Sequence, residues 1–177
     1  MTKLERIDSW LPILLVFTIG GVFGFIYEEL FYLLDLGYLV KRGTTFGPWI
    51  PIYGVGAVMI VLVTKQLRKN HLVIFGVSMA VCGIIEFVTG YFLHHMLEIR
   101  LWDYNTEIWN WGNVGGYICA RSVLFFGMSG LFLLYVVCPI IFRIEEKWGK
   151  TVFGYICIIP AFLFVFDILL SLLSGRI

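Results

Sequence analysis

Charged side chains are scarce in this sequence. They make up 14% of its 177 residues, against 60% that are hydrophobic, whereas a soluble globular domain carries about 25% charge. The few charges cluster between long apolar runs, and the mean hydropathy is +0.91. That balance excludes an ordinary soluble globule and points to a polytopic membrane protein, for which one domain, 1–177, suffices. The formal net charge is only +1 and no basic stripe exists, so no nucleic-acid partner is expected. Cysteine is sparse too. Cys82, Cys119, Cys138 and Cys157 lie far apart, in or beside apolar segments. They form no metal-ligand pattern and read as small buried hydrophobes. No convincing internal repeat is found. The first apolar run is long enough to span and lacks a small-residue processing site, so no cleavable signal peptide is expected. The sequence names no cofactor.

What is abundant is long apolar sequence. A helix crossing ~30 Å of hydrocarbon needs about 20 residues. Candidate spans run from about Trp10 to Leu34, Trp49 to Thr64, Leu72 to His94, Tyr117 to Ile140 and Thr151 to Leu173. The expected fold is therefore all-α, an integral membrane helix bundle of about five transmembrane helices. The second span is the shortest, and everything after it inverts if it is re-entrant. With five crossings, one face collects Lys3, Arg6, Lys65, Arg68, Lys69, Arg143, Lys147 and Lys150, and the other Lys41, Arg42, Arg100 and Arg176. The excess of positive charge places the first face, with the amino terminus, in the cytoplasm and the carboxyl terminus outside. All six tryptophans fall near span ends, where interfacial anchoring accounts for them.

One stretch stands out, Arg42-Gly-Thr-Thr-Phe-Gly-Pro-Trp-Ile-Pro-Ile-Tyr-Gly54. It holds too much Gly and Pro for ordinary helix and too many apolar residues for an ordinary exposed loop. Irregular backbone beside a bilayer is tolerated where protein or a water-filled cavity covers it. The stretch reads either as a tight turn that starts the second helix or as a turn, re-entrant or not, that also lines a site on the outer side.

Ionisable groups inside spans carry the strongest functional signal, because their burial is costly and they face a cavity or one another. They are Glu28, Glu29, Glu86, Arg121 and Asp167. At ~1.5 Å per residue, Glu28 lies ~27 Å from Trp10, Glu86 ~21 Å past Leu72, Arg121 ~6 Å inside its span and Asp167 ~24 Å from Thr151. All then fall in the outer half of the bilayer. Gly20, Gly24 and Glu28 share one helix stripe, as do Glu86, Gly90 and His94, so Glu28 is favoured over Glu29 as the inward acid. Small residues along a stripe let another helix approach closely. Arg121 suits a bidentate pair with one carboxylate, which leaves the other acid for a cation or a proton. The competing reading is a buried ion-pair network that fixes helix packing. Asp167 ranks lower, as a helix-pairing or subunit-facing group. His94 and His95 with Glu98 have metal-binding chemistry, but adjacent histidines point to different faces and no further ligand has clear spacing. Arg42 and the Trp102-Asp103-Tyr104-Asn105 run sit in two outer loops, where Arg42 either latches onto Asp103 or contacts a polar headgroup.

Glu28 after its Gly stripe, the Arg42–Gly54 run, Glu86-Phe-Val-Thr-Gly90 and Trp102-Asp-Tyr104 together resemble the bacterial ABC-transporter type IV permease family, the CmpB-like proteins. The likeness covers about residues 15 to 135, and Gly-Pro-x-x-Pro-Ile-Tyr-Gly is its most specific part. It implies a small multi-pass protein of the bacterial cell membrane, with Glu28, Arg42, Glu86, Trp102, Asp103 and Asn113 as the matching polar positions. The chain has no Walker motif, so ATP use requires a separate ATPase subunit. Five spans are few for a solute pathway, which makes a homo-oligomer the expected assembly, in contact with membrane lipids.

Three functions follow. The first is a permease-like protein that binds or moves a small polar or cationic solute, with Glu28, Glu86, Arg121, Arg42, Trp102 and Asp103 as substrate-binding or proton-coupling residues. The second is a membrane-embedded enzyme acting on a lipid or prenyl-linked substrate, with a carboxylate pair as acid and base and an arginine on phosphate; no nucleophile or metal motif singles it out. The third is a non-catalytic scaffold or regulatory subunit.

Overall fold

The computed structural model describes residues 9–67 and 70–176. Lys3, Arg6, Arg68 and Lys69, which weigh in the orientation count above, lie outside the described residues. The regular structure of the described residues is all helical, and an isolated antiparallel bridge between Val114 and Ile118 is their one trace of extended pairing.

Helix α1 runs Trp10–Leu36 and ends where Gly37 takes a left-handed φ of 81° and returns its N–H to Leu33 O. Glycine suits that position because it lacks the Cβ that makes left-handed backbone costly. Helix α2, Pro51–Thr64, begins on a proline, whose missing N–H would have no helical partner at that position. Helix α3, His71–Leu97, starts at Asn70, whose side chain accepts from the N–H groups of Leu72 and Val73. Helix α4, Ala120–Phe132, passes through one π turn, Leu133–Val137, into α5, Cys138–Leu173.

Three of these helical runs are long and apolar enough to cross a membrane, namely Trp10–Leu36, His71–Leu97 and the 54-residue run Ala120–Leu173. This corrects the expectation of about five. The 14 residues of α2 reach only ~21 Å, short of a ~30 Å core. The expected fourth and fifth spans are merged into one run, because the charged Arg143–Lys150 stretch stays helical instead of forming a loop. That run is interrupted inside α5 at Gly149, whose φ of 73° and ψ of 166° are not helical.

The chain divides into two compact units. One contains the described residues up to Val58 and from Leu134 onward, and the other runs Met59–Leu133. In the first unit α1 packs on α5. Phe164 is fully buried, stands 4.7 Å from Phe17 and occupies the space a side chain at Gly21 would need. Gly20 and Gly24 are bare for the same reason, against Ala57 and Tyr53 of the opening turns of α2. In the second unit α3 packs on α4, with Gly127 against Phe75 and Met79, and Gly130 against Ser78. Without water to drive association inside a bilayer, such close approach supplies much of the packing energy.

Candidate functional site

In the first unit the irregular stretch between α1 and α2 is held at both of its ends. At the α1 end, the backbone N–H of Arg42 donates to Glu29 Oε1 at 2.7 Å, and its Nε donates to Glu28 Oε2 at 3.1 Å. The guanidinium lies 3.8 Å above the centre of the Tyr32 ring. Tyr53, from the first turn of α2, donates its hydroxyl to Glu28 Oε1 at 3.0 Å. Glu28, Glu29 and Tyr32 come within four positions of one another on α1, so one helix turn supplies two carboxylates and an aromatic face. The Arg42 and Glu28 side chains remain 21% and 19% exposed. Both acids are therefore engaged by the same residue, where the Gly stripe singled out Glu28 alone.

The other end rests on Asp167 of α5. Its two oxygens accept the N–H groups of Phe46 at 3.0 Å and Gly47 at 2.7 Å, and the indole N–H of Trp49 at 2.6 Å. A carboxylate accepting three such donors makes strong, charge-assisted bonds. The Trp49 ring also stacks on Phe164, one turn earlier on α5, at 4.9 Å between centroids. Thr45 closes the turn by donating to Trp49 O at 2.6 Å, and Ile50 N donates to Gly21 O at 3.0 Å. The motif thus resolves into jobs. Arg42 meets the acids, Phe46 to Trp49 fold over Asp167, and Tyr53 returns to Glu28. Sequence reading ranked Asp167 low because a lone acid late in an apolar run does not reveal which loop it meets. Tyr53 was visible only as a motif letter.

Glu86, Arg121, Trp102 and Asp103 belong to the second unit. Glu86 is 6% exposed and accepts from the Tyr104 hydroxyl at 2.5 Å and from Ser122 Oγ at 2.9 Å. Arg121 pairs with Glu107 at 2.6 Å, and its guanidinium lies 5.4 Å from the Tyr104 ring centre. The polar loop thus supplies a carboxylate to Arg121. Burial first, then the charge of Glu86, push the Tyr104 hydroxyl well above the ordinary phenol range. Glu107, Tyr104 and Ser122 were missed as site residues. They sit in or just after a polar loop, and nothing in their spacing ties them to Glu86.

The same loop is sewn together by Asp103. Its Oδ1 meets Arg100 Nη2 at 3.0 Å and accepts from Asn105 N at 3.0 Å and Nδ2 at 2.8 Å. Asn113 donates to Asn105 Oδ1 at 2.7 Å and accepts from Gly116 N at 2.8 Å. Trp102 donates its indole N–H to Tyr117 O at 3.0 Å, and its ring lies where a side chain at Gly90 would go. Within their own units, Arg42 pairs with Glu28 and Asp103 with Arg100. His94 Nδ1 bonds the Tyr117 hydroxyl at 2.7 Å, and His95 stacks on Tyr91 at 4.1 Å. Among the described residues no group of three or more His, Cys, Asp or Glu side chains has metal-holding geometry.

No curated protein and no solved structure matches the chain. A family-level match does, over residues 15–172. It takes in both acid clusters, the whole Arg42–Gly54 motif and Asp167. On that match the protein, a multi-pass membrane protein, belongs to the permease family described as Putative ABC-transporter type IV, the CmpB group.

Proposed function

We propose that this protein is the membrane-embedded component of a transport system and that its solute-contacting site is the Glu28–Glu29–Arg42 cluster. The observation that carries this reading is the meeting of two carboxylates with one arginine at the end of a spanning helix, with Arg42 and Glu28 partly exposed. Ionisable groups at membrane depth are costly unless used, and this cluster is both polar and reachable. A small polar or cationic solute matches its charge. Glu86 and Arg121 then act within the second unit, where they hold the Trp102–Asn113 loop on α3 and α4.

In this reading the three long apolar runs make the crossings, and α2, preceded by the anchored Phe46–Ile50 segment, is a short re-entrant element that returns to the face it left. Three crossings, an odd number, put the amino terminus in the cytoplasm and the carboxyl terminus outside. Energy would come from a separate ATPase subunit, and a pathway would be completed by a second copy of the chain within the lipid.

The test is equilibrium counterflow of labelled small ammonium and guanidinium solutes in proteoliposomes. Wild-type protein is expected to exchange at least one of them, and the Glu28→Gln/Glu29→Gln double variant to exchange it about tenfold more slowly. Exchange that is the same in both proteins, or no greater than in empty vesicles, would remove the cluster from transport.

A further inference from the structure

We propose that Arg42 is a tethered occupant of an organic-cation site formed by Glu28, Glu29, Tyr32 and Tyr53, and that guanidinium or ammonium solutes bind there by displacing it. The inference rests on the reading of this cluster as the solute site and adds the ligand class and a built-in competitor.

The surroundings of Arg42 are those that recognise a planar organic cation. A carboxylate faces its Nε at 3.1 Å and an aromatic face lies 3.8 Å from its guanidinium carbon. A tyrosine hydroxyl braces the carboxylate from the other side at 3.0 Å. A cation over an aromatic ring gains more as water is removed, and a guanidinium matches a carboxylate edge better than a hydrated ammonium does. The walls of the site stand on helices. Glu28, Glu29 and Tyr32 are in α1, and Tyr53 is in α2 and packs where Gly24 has no side chain.

The occupant is mounted differently. Arg42 lies in the irregular segment, next to Gly43 with its left-handed φ of 79°. The segment is fixed again at Phe46 and Gly47 by Asp167. The Arg42 side chain can therefore swing out while its backbone N–H stays on Glu29 and the Asp167 anchor stays in place. Its partly exposed pairing gives an incoming cation an edge to start from. Arg121 is the useful contrast, since it stands on α4 and pairs with a Glu107 side chain only 5% exposed.

A tethered occupant acts at an effective concentration of order millimolar, and a free ligand binds more weakly in proportion to the fraction of sites left open. Removing the Arg42 side chain should therefore tighten binding of a free cation. The experiment is calorimetric titration of methylguanidinium into the full chain in lipid nanodiscs. Arg42→Ala is expected to bind it about tenfold more tightly than wild type, and Arg42→Ala/Glu28→Gln to lose that gain. Arg42→Lys, which keeps the charge but not the planar fork, should show a smaller gain and serves if the alanine variant does not fold. Unchanged affinity in both single variants would overturn the proposal, as would a gain that survives Glu28→Gln. Failed counterflow with a gain in Arg42→Ala would sink transport and leave the cation site standing. Glu28/Glu29-dependent counterflow without that gain would do the opposite.

Discussion

The two units contain the same local device and use it differently. In each, a spanning helix carries a glutamate one turn from a glycine on its own face, and an arginine–carboxylate pair joins a helix to the loop beside it. In the first unit the arginine hangs from an irregular segment and pairs with Glu28 in a partly exposed position. In the second, Arg121 stands on a helix, its carboxylate comes from the loop, and the pair is almost covered. Glu86 is closed over by two hydroxyl donors. The contrast teaches that an acid on a membrane helix is not by itself a site. Under the proposed function, what separates the two pairs is whether the arginine stands on an irregular segment or on a helix, and how much of the pair is exposed.

The sharpest way to break that contrast is Glu107→Ala. It strips Arg121 of a buried carboxylate, and loss of one partner from a buried pair costs about 3–5 kcal/mol. Thermal unfolding in detergent should show a larger drop than Asp167→Asn or Glu28→Gln produces. A drop no greater than that of Glu28→Gln would mean that the two units are built alike.

Asp167→Asn should come next. The amide keeps one acceptor but turns an NH2 toward donors that now lack a partner, and lost bonds to a charged group are worth about 1.5–3 kcal/mol each in the buried case. The same variant should raise the maleimide labelling rate of a cysteine placed at Pro48, because the Phe46–Trp49 turn loses its anchor. Unchanged labelling would show that Trp49 stacking and the Thr45 bond hold the turn without Asp167.

Glu28→Gln should cost least at neutral pH, about 1 kcal/mol or less, as expected for a partly exposed ion pair. Under the proposed function its larger effect is expected in solute exchange.

The smallest effect appears only in alkali. The folded protein holds the Tyr104 proton more tightly than the unfolded chain does. This stabilisation is complete below the ordinary phenol pKa of 10.0 and is lost as pH rises above it toward the folded value. Unfolding temperature should therefore fall with alkali above about pH 10 in wild type, and Tyr104→Phe should flatten that part of the slope. An equal slope in both proteins would assign the alkaline loss to other groups.

Much of this was legible in the residues. Apolar runs announced α1 and α3, since a bilayer demands long uncharged helices. Gly20 and Gly24 marked close approach, and Gly-Pro-Trp-Ile-Pro marked the break before α2. Glu28 and Glu86 stood out because charge at membrane depth is rare, and Arg42 because it heads the Gly- and Pro-rich run. The number of crossings was less secure. Hydropathy separated the last two spans at Arg143–Lys150, but that segment is rich in helix formers and carries α5 through to Gly149.

Composition and spacing by themselves determined that this chain is a helical membrane protein, where its glycine stripes lie and which acids fall within its apolar runs. They could do so because the bilayer acts on every residue as a solvent and reads hydrophobicity locally. Only the tertiary structure decided the partners. Arg42 meets Glu28 across 14 positions, Glu86 meets Ser122 across 36 and Asp167 meets Gly47 across 120. Such pairings depend on which helix faces pack together, and one-dimensional spacing carries no record of that.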